Sequence, residues 1–228
     1  MKLSISTTRR QTLLGWAYLL VSIFVLPSVL NTVNGLLATP LTESALNLIF
    51  FIVNFVAVVC IFHTFLWESL KTAAEKIWKC LGFAALGIAA YYVAMWLMAQ
   101  VIGAIKADFS NINDTAIFDM MGQHTGLLAF ATVFLVPITE ETLYRGLLFQ
   151  TLHRQNRLMG YVVSVAVFAA IHIVGYVGVS DSLTLALCFL QYLPAGIILA
   201  LAYEETDTII TPILIHIFIN LIGISAQR

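Results

Sequence analysis

Polar side chains that can support hydrolysis lie inside three otherwise apolar segments of the chain. They are Glu140 and Glu141 in ITEETLYRG, His172 at the end of FAAIH, and His216 and Asn220 in HIFIN. An acidic side chain at the centre of a bilayer costs about 2.5 to 3.5 kcal/mol on the insertion scale, so such residues usually face a water-filled cavity and mark a functional site. The sequence therefore predicts a functional cavity within the membrane.

One carboxylate, two imidazoles and one carboxamide are sufficient for hydrolysis by an activated water. A carboxylate held by an imidazole can take a proton from water, and a second imidazole with the carboxamide can donate hydrogen bonds to a developing oxyanion. No GxSxG motif occurs, and Cys60, Cys80 and Cys188 have no histidine at a spacing that would activate a thiol. These observations favour water over a serine or cysteine nucleophile.

The spacing around the two glutamates predicts how their charges are balanced. Residues four apart share a helix face, so Glu141 should meet Arg145, and Glu140 should meet Tyr144. An arginine on Glu141 would leave Glu140 free for proton transfer, whereas two uncompensated carboxylates would oppose each other's ionisation. Pro137 frees backbone groups just before the glutamates and is expected to kink the helix.

The same spacing places Phe168 beside His172, and His216 beside Asn220. With a rise of about 1.5 Å per residue, Glu140, His172 and His216 lie about 15, 18 and 14 Å from the predicted cytoplasmic ends of their helices. The three clusters thus share a depth, which predicts a single site near the middle of the membrane.

The composition requires an integral membrane protein. The chain of 228 residues is 61% hydrophobic and 10% charged, with a mean hydropathy of +0.95 and a formal net charge of -1. Without a basic face, the chain offers no surface for nucleic acid. The three cysteines are odd in number, far apart and within or beside apolar runs, and therefore read as packing residues.

We predict an all-α, polytopic transmembrane bundle of about seven spans, within a range of six to eight, that forms a single domain over 1-228 with a catalytic core over 124-225. The predicted spans are 12-30, 45-67, 81-105, 125-150, 159-179, 183-203 and 209-225. The segment 68-80, with its lysines and Trp78, is predicted to form a separate amphipathic helix on the inner membrane surface.

The basic residues predict the orientation. With a cytoplasmic N-terminus, eight basic residues fall inside, and two, Lys106 and Arg228, fall outside. Glu204, Glu205 and Asp207 then form an inner acidic run, expected to be a solvated loop, and His153 nearby is expected to reach water. The bilayer is thus a partner in its own right.

Three motifs together resemble a known family. EETLYRGLLFQ, FAAIH and TDTIITPILIHIFIN are similar to the EExxxR, FxxxH and HxxxN motifs of the CAAX prenyl protease and bacteriocin-processing family of intramembrane proteases, also called the Abi family. They occur in family order within residues 124-225, whereas 1-105 match only in being transmembrane. Each motif alone is weak, but three in order on separate spans are specific.

The resemblance implies a role for each residue of the motifs. Glu140 would be the general base that activates water with His172, and His216 with Asn220 would form the oxyanion site. Glu141 and Arg145 would support these groups, with Tyr144 and Phe168 as further supporting residues. The implied activity is a glutamate-dependent endopeptidase without a cofactor that acts on a membrane-associated peptide or protein, either prenylated or a bacteriocin or pheromone precursor. We expect the cut in the cytoplasmic half of the membrane.

Three alternatives remain open from the residues. Glu140, His172 and His216 have the donor types of a catalytic zinc site, although no HExxH motif supplies two ligands from one helix. A non-catalytic immunity or regulatory protein could keep the polar residues for packing. A proton-coupled transporter also uses intramembrane Glu and His, but no internal repeat is visible here.

Overall fold

The structure is a computed structural model that describes residues 3-121 and 125-226. The described residues form eight helices and no strand. The helices are α1 Arg9–Gly35, α2 Glu43–Glu75, α3 Ile77–Ile105, α4 Ile112–Met121, α5 Gly126–His153, α6 Arg157–Val174, α7 Ser182–Thr206 and α8 Ile210–Ser225.

Six of the described helices are long and apolar enough to cross a membrane. They are every helix except α4 and α8, and α8 is an apolar helix of 16 residues in place of the seventh predicted span. The prediction of an all-helical, multi-pass membrane protein is confirmed.

Two connections differ from the sequence prediction. The separate amphipathic helix predicted over 68-80 is wrong, because α2 continues without interruption to Glu75 and α3 begins at Ile77. The polar break after α3 also contains a helix, α4. Asn111 caps its start by accepting hydrogen bonds from the backbone N–H groups of Asn113 at 3.0 Å and Asp114 at 3.3 Å.

Polar caps also start the spans. Asp181 caps α7 by accepting from the Thr184 backbone N–H at 2.9 Å. Hydrogen bonds from the Thr184 side chain and backbone lower the pKa of Asp181 to about 2. At 3.3 Å, Lys106 pairs with Asp181, so the α3 and α7 ends meet at one surface.

Small residues let the helices that carry the polar motifs approach closely. A Cβ on Gly196 of α7 would lie 2.9 Å from a side-chain carbon of Val165 on α6. A Cβ on Gly87 of α3 would lie 2.6 Å from a side-chain carbon of Ile215 on α8. Small residues at helix contacts are a general feature of packing in membranes, and here they bring α6 against α7 and α3 against α8.

One end of the bundle is basic. We call basic end the helix termini and links at 3-10, 71-79, 153-157 and 204-210, and opposite end the termini and links at 35-43, 105-112, 174-182 and 223-226. Contacts between distant residues close the basic end: Ser4 donates its backbone N–H to Asp207 at 2.8 Å, and Gln150 donates its amide to the Ile5 carbonyl at 2.8 Å.

The acidic run at the basic end is not the solvated loop that was expected. Glu204 is 3% exposed and is the centre of a hydrogen-bonded cluster, and Asp207 takes a left-handed backbone conformation (φ 58°) that ends α7. His153, expected to reach water, is 8% exposed and contacts Glu204. A carboxylate close to several donors can be buried, which single-residue polarity does not reveal.

Candidate active site

A cavity of about 570 Å³ lies between the helices. The four residues predicted to be catalytic all line it: Glu140, His172, His216 and Asn220. They come from α5, α6 and α8, as the shared depth of the three motifs predicted. Side chains of α2, α3, α4 and α7 complete the wall, so the N-terminal half contributes to the cavity.

Glu140 and His172 face each other across this cavity. His172 Nε2 and Glu140 Oε2 are 3.9 Å apart, too far for a direct hydrogen bond. One water at ordinary hydrogen-bond lengths can reach both atoms. The geometry is thus suited to holding a water between a carboxylate and an imidazole.

The hydrogen bond of His172 Nδ1 leaves Nε2 as the ring nitrogen that faces Glu140. His172 Nδ1 lies 2.7 Å from the main-chain carbonyl oxygen of Phe168, one turn earlier. Since a carbonyl can only accept, Nδ1 carries a proton, and in the neutral ring Nε2 has a free lone pair. The FxxxH spacing therefore orients the imidazole through the backbone as well as through ring contact.

Two aromatic rings hold the His172 imidazole in place. The Tyr192 ring stacks on it with centroids 4.2 Å apart, and the Phe168 ring lies at 4.7 Å. The Tyr192 hydroxyl donates to Asp114 Oδ1 of α4 at 3.0 Å. Tyr192 and Asp114 were missed in the sequence, because contacts between separate helices leave no mark in local spacing.

Glu141 links two of the predicted residues. It is fully buried, and its Oε1 accepts from Arg145 Nη1 at 3.0 Å and from His216 Nδ1 at 2.8 Å. The pairing with Arg145 follows the predicted i, i+4 spacing, whereas the contact with His216 was not predicted. Glu141 thereby orients His216, whose Nε2 is the nitrogen left for the cavity.

Arg145 and Tyr144 lie behind the cavity wall. The Arg145 guanidinium carbon is 4.2 Å from the centroid of the Phe168 ring, and Arg145 Nη2 donates to the Gly196 carbonyl at 3.2 Å. Tyr144 packs edge-on against Phe168 with centroids 5.8 Å apart. Phe168 is thus the central ring between the guanidinium and the His172 imidazole.

Asn220 is anchored by an irregularity in α5. Residues Ala131–Leu135 form a π-helical turn, in which the Val136 N–H bonds to the Ala131 carbonyl, five residues earlier. In this register the next donor would be Pro137, which has no N–H, so the Thr132 carbonyl lacks a helical partner. Asn220 Nδ2 donates to that carbonyl at 2.9 Å.

Thr132 offers the cavity a second polar group. Thr132 is 6% exposed and lines the cavity. Its Oγ1 has no hydrogen-bond partner among the described protein atoms. Thr132 lies five residues before Pro137. This spacing identifies its unpaired carbonyl from the sequence only when the turn is known to be π-helical.

The donor set for a metal does not converge in the described part of the chain. No three His, Cys, Asp or Glu side chains there lie close enough together to hold a metal ion. Of the three zinc ligands considered, Glu140 and His172 approach each other, whereas His216 gives its Nδ1 to Glu141.

Comparison with known proteins finds one similarity, in the C-terminal part of the chain. Residues 122–222 match the family model described as Rce1-like, type II CAAX prenyl endopeptidase. The match covers less than half of the chain, so the C-terminal part is similar to the Rce1-like family. No curated protein and no solved structure matches the chain at a significant level.

The match to the Rce1-like family model confirms the resemblance stated from the three motifs. The protein is accordingly a hydrolase of the CAAX endopeptidase class, placed in the membrane as a multi-pass protein. Its partners are a membrane-associated peptide or protein substrate and the lipid bilayer. The Rce1-like segment spans α5 to α8, the helices that carry Glu140, His172, His216 and Asn220.

Proposed function

We propose that this Rce1-like protein cleaves a peptide bond with a water activated by Glu140 and His172, without a metal. The observation that carries the proposal is the pair itself: a carboxylate and an imidazole 3.9 Å apart that face one cavity. A packing role gives no reason for Glu140 Oε2 to lack a hydrogen-bond partner among the described residues beside His172.

The chemical step balances with the residues of the cavity. The water bound between Glu140 and His172 gives one proton to this pair while its oxygen attacks the peptide carbonyl carbon. The carbonyl oxygen becomes an oxyanion, and the tetrahedral intermediate breaks at the carbon–nitrogen bond. The proton passes to the departing nitrogen, so the products are a carboxylic acid and an amine, which become a carboxylate and an ammonium when the acid gives its proton to the amine.

His216 and Asn220 are proposed to stabilise the oxyanion. With Nδ1–H bound to Glu141, the ring can donate from Nε2 only when it is positively charged. Asn220 uses one amide hydrogen on Thr132 and keeps a second for the cavity. Preorganised donors of this kind are usually the largest electrostatic contribution to acyl transfer.

Glu141 and Arg145 are proposed to keep this arrangement rigid. Arg145 balances the carboxylate that orients His216, and its guanidinium rests on the ring beneath His172. Both halves of the site therefore depend on one buried ion pair. The proposed substrate is a peptide at the membrane, either prenylated or a bacteriocin or pheromone precursor.

The test compares cells that carry wild-type protein with cells that carry Glu140→Gln, which keeps the shape of the side chain and removes the base. Membrane peptidomics should find a peptide whose new terminus disappears in the variant. Glu68→Gln is the matched control, because Glu68 is an exposed carboxylate paired with Lys71 at the helix surface. An unchanged terminus in Glu140→Gln cells would refute glutamate-dependent cleavage.

Metal analysis separates the zinc alternative. The purified protein is treated with a chelator, its zinc content is measured, and cleavage of the identified peptide is followed. Full activity in zinc-free protein is the expected result, and activity that returns only with added zinc would overturn the proposed chemistry.

A further inference from the structure

The cavity wall extends from the middle of the bundle to one of its ends. The described residues that line it include Glu43 and Asn47 in the first turns of α2, Tyr176 just after α6, and Gly223 and Ile224 near the end of α8. All of these positions lie at or near the opposite end. Among the described residues, none that lines the cavity belongs to the basic end.

The charges of the two ends differ in sign. Seven described basic residues belong to the basic end: Arg9, Arg10, Lys71, Lys76, Lys79, Arg154 and Arg157. Lys106 is the one described cation of the opposite end, and it is paired with Asp181 at 3.3 Å. Segments rich in Lys and Arg stay in the cytoplasm, so the basic end is the cytoplasmic one.

We infer that the catalytic cavity opens on the extracytoplasmic face, and that it takes a peptide segment with a cationic residue from that side. The first half of the inference replaces the expectation of a cut in the cytoplasmic half of the membrane. It follows from the position of the cavity relative to the basic end and is independent of the catalytic mechanism. The second half rests on the proposed function.

The chemistry of the cavity mouth supports the cationic residue. Glu43 and Asp114 are exposed residues of the wall near the opposite end, and we call this part of the cavity its mouth. No Lys or Arg lies among the described residues of the wall. Asp114 Oδ1 accepts from Tyr192, whose ring stacks on His172, so a cation bound at Asp114 would lie one ring away from the catalytic pair. Deeper in the wall, the buried Thr132 hydroxyl has no protein partner among the described residues and is available to the peptide backbone.

Cysteine labelling in whole cells tests the side of access. In a background without Cys60, Cys80 and Cys188, single cysteines are placed by Asp108→Cys at the opposite end and Glu75→Cys at the basic end, both at exposed positions. A membrane-impermeant maleimide should label Asp108→Cys in intact cells, and Glu75→Cys only after the membrane is opened. The reverse pattern would overturn the inference, and so would labelling of both in intact cells.

A cysteine in the cavity wall connects access to cleavage. Ala116 of α4 lines the mouth and has a small side chain, so Ala116→Cys leaves the wall intact until it is modified. Modification from outside should abolish cleavage of the peptide found by peptidomics, whereas modified Glu75→Cys should stay active. Unimpaired cleavage by modified Ala116→Cys would contradict access through this mouth.

Charge preference is measured with internally quenched peptides of the cleaved sequence that carry either Lys or Glu beside the scissile bond. The Lys peptide should have the higher kcat/KM, and Asp114→Asn should lower the Lys to Glu ratio by about threefold to fivefold, the range of one partly exposed charge pair. Asn keeps an oxygen for the Tyr192 hydroxyl, and Glu43→Gln provides a second removal of charge. An equal preference in wild type would refute the cationic substrate while the labelling result still stands.

Discussion

Two buried carboxylates of this protein have the same kinds of neighbours and different surroundings. Glu204 at the basic end is 3% exposed and bonds to Arg157, His153 and Tyr161. Glu141 near the middle of α5 is fully buried and bonds to Arg145 and His216. Each is a glutamate with one arginine and one histidine.

The difference lies in how completely each carboxylate is satisfied. Both oxygens of Glu204 accept hydrogen bonds, from Arg157 Nε and His153 on Oε1 and from Arg157 Nη2 and the Tyr161 hydroxyl on Oε2. Glu141 accepts both donors on Oε1, and its buried Oε2 has none among the described residues. A second glutamate and a second histidine then face the cavity next to it.

Residue types alone therefore do not distinguish the Glu141 cluster from the Glu204 cluster. A saturated cluster that closes one end of a bundle is suited to hold helices together, because every charge has its partner. A cluster with unpaired donors and acceptors beside a cavity can bind a ligand through them. Substitutions in the two clusters should therefore separate stability from catalysis.

The largest expected effect on activity follows Glu140→Gln. Loss of the base should lower kcat by about 10²- to 10⁴-fold, the usual contribution of a positioned base. The unfolding midpoint in detergent should stay close to that of wild type, since Glu140 is outside the buried ion pair. The measurement is single-turnover cleavage beside thermal unfolding of the same sample, and a loss of fold in parallel would make Glu140 a structural residue.

Glu141→Gln should come next. His216 would lose the carboxylate that orients its ring, and kcat should fall by about 10- to 100-fold, the usual loss for a group that orients a functional histidine. The variant should also unfold more readily, because Arg145 stays buried without its counter-charge. If cleavage by the folded fraction were unchanged, His216 would not need Glu141.

A smaller effect is expected from Thr132→Val. This change replaces a buried hydroxyl that has no described protein partner with a methyl group, so the free energy of unfolding should rise by about 1 kcal/mol. The value of kcat/KM should fall by about threefold to tenfold if the hydroxyl contacts the peptide, a loss of one ordinary hydrogen bond.

Thr211→Val is the control for that variant. Thr211 of α8 is also buried, and its hydroxyl has no partner among the described residues, but it does not line the cavity. It should gain stability in the same way and keep its kcat/KM. A fall in both variants would point to a general packing effect rather than to substrate contact.

The smallest effect on activity is expected from Glu204→Gln. Removing this charge leaves Arg157 and His153 with a neutral partner, and the free energy of unfolding should drop by about 3 kcal/mol, near the lower limit for a broken buried pair. Cleavage per folded molecule should remain that of wild type. A large fall in kcat without loss of stability would erase the distinction between the two clusters.

Helical spacing predicted the contacts that lie within single helices. The pairs Glu141 with Arg145 and Phe168 with His172 are four residues apart, and both meet in the structure. The shared depth of the motifs also predicted one cavity for three helices. Such features depend on periodicity, which is visible in the sequence.

Contacts between helices could not be predicted in the same way. The bond of His216 to Glu141 depends on how α8 rotates against α5, and that rotation is determined by packing such as Ile215 over Gly87. The burial of Glu204 depends on donors from α5 and α6. The break at Lys76 was also hidden, because residues 68-80 are polar enough to suggest a surface helix, yet they extend two spans.

The π-helical turn at Ala131–Leu135 sets the angular phase of α5. A turn with one additional residue shifts everything after it by about 100° relative to a regular helix. Deletion of a single residue within 131-135 would let the turn relax to regular geometry, and Glu140 and Glu141 would then face different neighbours from those that bind them now. The number of residues between Thr132 and Glu140 thus determines the direction in which the two glutamates point. A deletion in this part of α5 should therefore disturb the site more than an insertion in a loop.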